Sequence, residues 1–505
     1  MSSSQPESVQ LRPSVVYDTS QVIESEILRP VVFSNDNLFT RFELEPKGYL
    51  SPSSSISFTL KPNAEVKRAF FPTGIGVHSV ISRAVLRTSS GRVLSDIEEF
   101  GHLKSLTSMY IPNDAQAQRE QYLNGRCMDF QFNYDDAGAD NVGSYRAQTY
   151  GLSNGREYCE SGILNKADDV GLRSSASQGG LSHHNFQIIS NDAQRATLSP
   201  SYSITLHDLF PFLKSRSSKD QLPLFMFESD RVQIELYFTS TTKGRVSVGA
   251  EVGDNPLGKE FLIDQNSVEL ISDHIFYPNQ TLEQQKAEAS KEPFRYFDYV
   301  LSRQTLTADD ATPANDNTQN NIRNVGGAGR IITRVFSAVV PTGTQEASPL
   351  NSFVAKAPVK SGDFVGRLES NLFYNERYLF PQTLANGARQ FHNLSDATSR
   401  HIYTTREMYS SGGDLLAGDE ADLAYEGVRQ DTSLLGNSFW QGFRLNRGER
   451  VGTKGIDLNM SLLKTADGKS YVRGGLADGT YLQYTFLEVQ RFAEMKSGQI
   501  DVFFA

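Results

Sequence analysis

Strict alternation of apolar and polar residues recurs along this chain and most limits what it can fold into. The alternation covers residues 56–61, 232–238, 456–462, 482–486 and 500–504. A period of two places successive side chains on opposite faces of an extended strand, so each segment predicts a strand with one buried face. Because the last segment reaches the end of the sequence, we expect the C-terminus to belong to a sheet and its truncation to be costly.

The composition favours an all-β chain. The sequence has 31 phenylalanines and 21 tyrosines but a single tryptophan, Trp440, and aromatic side chains suit half-buried strand positions. Its 39 glycines and 19 prolines are spread along the chain and predict frequent turns. A length of 505 residues exceeds what one core supports, so about two to four domains are expected.

Charge, cysteine content and hydropathy exclude several classes of protein. The net charge of −10 and the pI near 5.4 argue against strong nucleic-acid binding, which needs basic surface to displace counterions. The two cysteines, Cys127 and Cys159, indicate a reducing compartment, although the sequence leaves their pairing open. No signal peptide and no apolar run of about 18 residues is present, so we expect a protein made inside a cell without a membrane span.

The chain is predicted to divide into four parts. A Ser/Gln/Pro/Glu-rich N-terminal arm has no core of its own, and the sequence does not decide whether it stays disordered or orders against a neighbour. Thr281 and Gln284 have the spacing of a capping box at the start of a helix-prone segment. The predicted parts are the arm at 1–27, a first β domain at 28–280, a short linker helix at 281–291 and a second β domain at 292–505.

Long Gly/Ser/Asn/Asp-rich stretches separate the predicted strands, at 134–182, 239–258, 307–329 and 341–363. Loops of this length tend to be functional or to pack on a partner, and here they are too numerous to serve one active site. A second helix-prone stretch at 414–425 is predicted to be an insertion in the second domain.

The sequence offers little that points to catalysis. It has no phosphate-binding loop, nucleophile elbow or zinc-protease motif. The glycines of 325–330 precede a β-like segment and are interpreted as its flexible lead-in, and His183 and His184 as residues of an exposed loop. Paired carboxylates for glycoside hydrolysis remain open, although nothing indicates them. We therefore predict no catalytic, cofactor-binding or metal-ligating residue, no cofactor, and a protein that is not an enzyme.

Several segments, taken in order, resemble the double jelly-roll major capsid proteins, most closely those of polinton-like viruses and virophages. The segments at 202–214, 221–228 and 232–236 are similar to the end of the first jelly roll in that family. Further similarity lies at 27–33 with 40–48 (the opening strands) and at 371–381 with 386–392 (the second roll). The resemblance spans most of the chain from residue 27 onward, but its motifs are degenerate and structural.

The resemblance implies a fold and a function. The fold is two eight-stranded antiparallel β-sandwiches side by side, with long loop insertions and a short linker helix. The function is that of a homotrimer, a pseudo-hexameric capsomer in the icosahedral shell of a double-stranded DNA virus. The segment at 371–381 would contribute to the trimer interface.

The implied partners are neighbouring capsomers and penton, minor capsid or cement proteins, and the implied location is the virion, assembled inside the host cell. Two alternatives stay open. One is a minor capsid or penton protein, although a penton usually needs only one jelly roll. The other is a non-viral β-sandwich protein that binds or hydrolyses carbohydrate.

Overall fold

The structure is a computed structural model, and it describes most of the predicted strand regions. The described residues are 22–34, 38–62, 68–70, 76–107, 119–120, 123–124, 131–135, 144–148, 186–188, 201–210, 213, 222–238, 247–249, 261–278, 283, 294–308, 318–341, 368–381, 387–398, 440–445, 449–463, 479–496 and 499–504.

Strands dominate the described residues, and helices are few and short. The α-helices with described bounds are α1 (Phe100–Thr107), α2 (Leu206–Leu209) and α3 (Gly387–Thr398), and short 3-10 helices lie at Gly76–Val80, Leu224–Met226 and Gln265–Ser267. The strands are β1 (Val22–Leu28), β2 (Val32–Ser34), β3 (Phe39–Glu43), β4 (Tyr49–Leu50), β5 (Ser55–Pro62), β6 (Arg68–Phe70), β7 (Ile81–Thr88), β8 (Val93–Glu98), β9 (Gln131–Asp135), β10 (Ser144–Gln148), β11 (Phe186–Ile188), β12 (Ser201–Thr205), β13 (Leu222–Pro223), β14 (Val232–Phe238), β15 (Ser247–Gly249), β16 (Phe261–Ile263), β17 (Glu269–Phe276), β18 (Phe294–Ala308), β19 (Thr318–Gly326), β20 (Ile332–Pro341), β21 (Leu368–Tyr374), β22 (Arg377–Tyr378), β23 (Gln441–Arg444), β24 (Ile456–Leu463), β25 (Gly479–Lys496) and β26 (Gln499–Phe504).

Strands β1–β17 pair only with one another among the described residues, and we call them, with α1 and α2, the first half. One sheet has the order β12-β5-β17-β4-β13, with β1 added on β17 and β16 on β5. A second sheet has the order β2-β3-β14-β7-β8, and two smaller sheets are β10-β9 and β11-β6-β15. All of these ladders are antiparallel.

Strands β18–β26 form the second half with α3. One sheet has the order β18-β25-β20-β23 with β26 added on β25, and the other has the order β19-β24-β21-β22. Of the predicted linker helix, the structure describes only Glu283, which is helical. The proposed domain boundaries therefore stay a prediction, as does the helix at 414–425, which lies outside the described residues.

The alternating segments form the strands that their period predicts. Residues of the five segments lie in β5, β14, β24, β25 and β26. The C-terminal strand β26 pairs with β25 in an antiparallel ladder. In β14, Val232, Ile234, Leu236 and Phe238 are buried as expected. Glu235 is buried as well, because Arg41 at 2.8 Å and Arg87 at 2.6 Å provide counter-ions for its carboxylate.

Buried apolar side chains of the two halves belong to one continuous core. Phe42, Phe58 and Phe100 from the first half connect through it with Phe336 and Phe486 from the second. Burial of apolar surface on this scale is the main force that stabilises a folded chain. The halves are therefore joined by packing as well as by the polar contacts described below.

Three predictions about loops need correction. Strands β10, β15 and β19 lie inside stretches that were predicted to be loops, and the first residues of the stretch at 307–329 belong to β18. β19 is polar along much of its length, with Asn320 and Asn321 side by side, so its composition does not predict a strand. Its antiparallel pairing with β24 stabilises the extended conformation. The glycine-rich 325–330 thus joins two strands, with positive φ at Gly326, Gly327 and Gly329.

The end of the predicted N-terminal arm is also ordered by pairing. Residues 22–27 were assigned to the arm, but they belong to β1, which pairs with β17 from Val22 opposite Phe276 to Leu28 opposite Leu270. Pairing within the chain therefore orders this stretch. The rest of the arm lies outside the described residues.

Candidate functional site at the seam between the two halves

The two halves meet where β8 and α1 of the first contact β18, β25 and β26 of the second. We call this contact region the seam and define it by Leu94, Ser95, Glu99 and His102 on one side and Tyr296, Asp298, Arg303, Tyr484 and Arg491 on the other. The buried hydroxyl of Tyr296 donates a hydrogen bond of 2.7 Å to the carbonyl oxygen of Leu94. A side chain of the second half thereby satisfies a backbone acceptor of the first, which fixes the register between β8 and β18.

The polar centre of the seam is the carboxylate of Asp298. Ser95 Oγ donates to Asp298 Oδ1 at 2.6 Å, and Arg491 Nη2 lies 3.0 Å from Asp298 Oδ2. All three side chains are buried. Burial raises the pKa of Asp298 to about 6, although attraction to Arg491 and the hydrogen bond from Ser95 act in the opposite direction.

A second cluster of the seam surrounds the beginning of α1. The ring of His102 stacks on that of Tyr484 with centroids 4.3 Å apart. Glu99 lies between two basic side chains, with Oε2 3.4 Å from His102 Nδ1 and Oε1 3.7 Å from Arg303 Nη1. The Arg303 guanidinium also lies over the Tyr484 ring, 5.8 Å from its centroid. These contacts anchor the helix of the first half on the sheet of the second.

The C-terminal strand is held at the same seam. Arg92, in the turn before β8, forms an ion pair with Asp501 of β26. The ring of Phe504 lies near two guanidinium groups, with Arg330 at 4.0 Å and Arg491 at 4.8 Å from its centroid. Cation–π contacts of this kind stabilise each pair by about 0.5–2 kcal/mol. The end of the chain therefore takes part in joining the halves.

The contacts of the seam join the two halves. The described residues contain no group of three or more His, Cys, Asp or Glu side chains placed to hold a metal ion. Within the same described residues, no helix is long and apolar enough to cross a membrane. Asp298 is fully buried, with Ser95 and Arg491 as its partners.

Solved structures with the same arrangement of sheets are viral capsid proteins. The PBCV-1 VP54 structure fitted into a reconstruction of the virophage Sputnik has a TM-score of 0.52 at 9% identity, covering 96% of this chain and 97% of that one. The mavirus major capsid protein has a TM-score of 0.51 at 11% identity, covering 95% and 90%. The Sputnik virophage structure has a TM-score of 0.51 at 11% identity, covering 100% and 93%. These are double jelly-roll proteins.

The chain has the double jelly-roll fold. We call the first half, with β1–β17, the first roll and the second half, with β18–β26, the second roll. No protein-family model matches the sequence, and neither does any curated protein. The fold is therefore preserved at identities where the sequences have diverged almost completely.

Two groups of exposed apolar side chains are found among the described residues of the double jelly roll. On the first roll, Val22, Ile23 and Ile27 of β1 and the neighbouring Val31 are exposed, and we call these four residues the N-terminal patch. On the second roll, Phe297 and Phe503 are each 43% exposed. They lie on the same face as the half-buried Phe492, because Phe492 pairs with Phe503 and Phe297 pairs with Gln490, two positions away from Phe492. We call Phe297, Phe492 and Phe503 the aromatic patch.

The sequence predicted no site residue in the double jelly roll, and the seam was missed. His207, which precedes Asp208 in the sequence, approaches the carbonyl of Pro52 at 3.3 Å, while Asp208 pairs with Lys104 at 2.8 Å. His392 lies exposed on α3. His183, His184 and His401 lie outside the described residues. One available signal for the seam was Asp298, an acidic residue within the otherwise aromatic start of β18.

Proposed function

We propose that this chain is the major capsid protein of an icosahedral double-stranded DNA virus and that three copies form a pseudo-hexameric capsomer. The observation that carries the proposal is the match over nearly the whole length of both chains to structures that include the mavirus major capsid protein. A penton or another protein with one jelly roll would match only part of this chain.

The seam supports the proposal because it holds the two rolls together as one structural unit. Three copies then present six similar rolls around a threefold axis, which gives the hexagonal outline that tiles a shell. A subunit used in this way needs a fixed angle between its rolls. The shared apolar core and the buried hydrogen bond from Tyr296 to the carbonyl oxygen of Leu94 provide that rigidity.

The exposed patches support self-assembly. Contiguous exposed apolar side chains mark surfaces that bind a partner. Moreover, β1 and β26 each pair with one neighbour among the described residues, so their free edges are open to further pairing or cover. We propose that copies of this chain cover both patches within or between capsomers, and that residues 371–381, where Tyr378 is exposed, contribute to the trimer contact.

The further partners follow from this role. Penton and minor capsid or cement proteins would fill the positions that the trimers leave, and the protein would act in the virion after assembly inside the host cell. Its role would be structural rather than enzymatic. The net charge of −10 supports a shell that encloses a genome without binding it tightly.

Light scattering on the purified chain tests the proposal. We expect a species of about three times the 56.1 kDa chain mass, stable to dilution because obligate interfaces commonly bury more than about 2,000 Å². A strict monomer at all concentrations would contradict the proposed capsomer.

A further inference from the structure

A carboxylate and a guanidinium group from the second roll meet a hydroxyl from the first in the interior of the seam. Asp298 and Ser95 are fully buried, and Arg491 nearly so. Among the described residues, Asp298 Oδ2 has no hydrogen-bond donor, although Arg491 Nη2 lies 3.0 Å away. A buried charge pair with few hydrogen bonds costs more desolvation than its attraction returns. The ionised form of Asp298 is therefore a weak point of the seam.

The groups around Asp298 come from three strands. From β8, the hydroxyl of Ser95 donates to Asp298, and Asp96 contributes a repulsive negative charge. From β25, Arg491 contributes a positive charge that attracts the carboxylate and favours its ionised form. From its own strand β18, the backbone of Tyr299 donates a hydrogen bond, and the buried Tyr296 lies beside the same pair. Asp96 is itself bound to Arg83, with Nε 2.7 Å from Oδ1.

We propose that Asp298 is a proton-dependent latch between the two rolls, and that uptake of one proton on mild acidification tightens the seam. This inference goes beyond the proposed capsid role, because it concerns the two rolls of one chain whatever their assembly.

The direction of the pH effect follows from the difference in the pKa of Asp298 between the closed and the open seam. In the closed seam the pKa of Asp298 is raised to about 6, whereas an exposed aspartate has a pKa of about 4. The closed form therefore binds the proton more tightly, and closure is favoured as pH falls from above 6 towards 4. On these values the closed-to-open equilibrium rises about 10-fold between pH 7.5 and pH 5.

The neutral acid keeps the contact across the seam. A hydroxyl both donates and accepts, so Ser95 can accept a hydrogen bond from protonated Asp298 over the same 2.6 Å separation. Arg491 loses its counter-ion but keeps the face of Phe504 at 4.8 Å, and that ring is 45% exposed. Protonation thus removes the costly buried anion without removing the hydrogen bond that joins the rolls.

Hydrogen–deuterium exchange on the full-length purified protein tests the latch. Protection of the amides of β8 and the first half of β18 is compared with that of β24, away from the seam, after correction for the intrinsic pH dependence of exchange. In the wild type we expect protection at the seam to rise about 10-fold between pH 7.5 and pH 5 relative to β24. Constant or falling relative protection would overturn the proposal.

Two variants identify the group. In Asp298→Asn the pH dependence should disappear, and its persistence would assign it to another seam group such as His102 and overturn the latch. If Asp298→Asn does not fold, Ser95→Ala supplies the test. Ser95 stabilises the charged carboxylate more than the neutral acid, because a hydrogen bond to a charged group is the stronger one. Its loss should therefore move the midpoint to higher pH, whereas an unchanged midpoint would also overturn the assignment.

Discussion

The ring of His102, on α1 of the first roll, stacks on the ring of Tyr484, on β25 of the second, with centroids 4.3 Å apart. The helix begins directly after Glu99, whose positive φ of 51° turns the chain out of β8. The backbone carbonyl oxygen of Glu99 also accepts hydrogen bonds from the backbone amides of His102 at 2.9 Å and Leu103 at 3.3 Å. The turn and the stack together place one helix of the first roll against the second.

Replacing His102 by alanine should weaken this attachment. The substitution removes a buried aromatic stack and leaves a cavity, so we expect a loss of about 2 kcal/mol in the free energy of unfolding. Chemical denaturation measures it. His392→Ala, at an exposed position on α3, is the matched control and should change stability by less than about 0.5 kcal/mol. Equal effects of the two substitutions would contradict the role given to the stack.

Asp230 should make the first roll sensitive to acid. It accepts hydrogen bonds from Ser89 Oγ at 2.8 Å and from Ser90 N and Oγ at 2.7 and 2.6 Å, which fix the turn between β7 and β8. Burial opposes ionisation, but these hydrogen bonds outweigh it and lower the pKa of Asp230. A lowered carboxyl pKa gives stability that is present above about pH 4 and lost as pH falls further.

The measurement is the free energy of unfolding of Asp230→Asn and wild type at pH 7 and pH 3. The variant should be less stable by about 1–2 kcal/mol at pH 7. The difference should shrink at pH 3, because an aspartate of the unfolded chain, with a pKa of about 4, is largely protonated there and the advantage of the lowered pKa is reduced. A difference that is the same at both pH values would assign the effect to packing alone.

Gly442 should not tolerate a side chain. A Cβ atom there would lie 2.8 Å from Leu394 Cα and 3.1 Å from Ala397 Cβ, because α3 packs closely across β23. Gly442→Ala should therefore cost about 1–3 kcal/mol, through displacement of the helix. At Gly452 the nearest atom is the side-chain Oδ1 of Asn375 at 3.2 Å, and among the described residues beyond its chain neighbours no backbone atom lies within 4 Å, so Gly452→Ala should cost less. Thermal melts of the two variants compare them, and the reverse order would refute this account of the packing.

The N-terminal patch should be covered in the assembled protein. Ile23 and Ile27 are 61% and 63% exposed on β1. Serine at both positions should leave the fold intact but raise the protein concentration needed for assembly, measured by light scattering. Glu24→Ser, on the same strand and also exposed, is the control and should assemble as the wild type. If the double variant assembles at the same protein concentration as the wild type, the N-terminal patch does not belong to the assembly interface.

The sequence predicts those parts of the fold whose signal is local. Ile234 and Leu236 belong to a strand because burial of alternate side chains needs only a period of two, and β14 confirms it. In β19 the polar Asn320 and Asn321 give no such signal, and pairing with Met460 and Ser461 of β24 decides their structure. Strand order and pairing across long separations are set by the tertiary fold.

The seam lies beyond local signals altogether. Ser95 and Asp298 are 203 positions apart in the sequence, and neither belongs to a sequence motif that indicates its hydrogen-bond partner. The spacing of Phe100, Leu103 and Leu106 at every third residue was a usable sign of the helix α1. Nothing in that spacing shows that the helix packs on Tyr484. Contacts between two rolls follow only from the three-dimensional arrangement of both.

Electron cryo-microscopy of the purified, unmodified chain tests the central claim most directly. We predict threefold particles of hexagonal outline in which each copy contributes two adjacent jelly rolls joined by β8 and β18, with Asp298 buried between them. Particles without threefold symmetry, or copies whose two rolls take variable relative positions, would contradict the account.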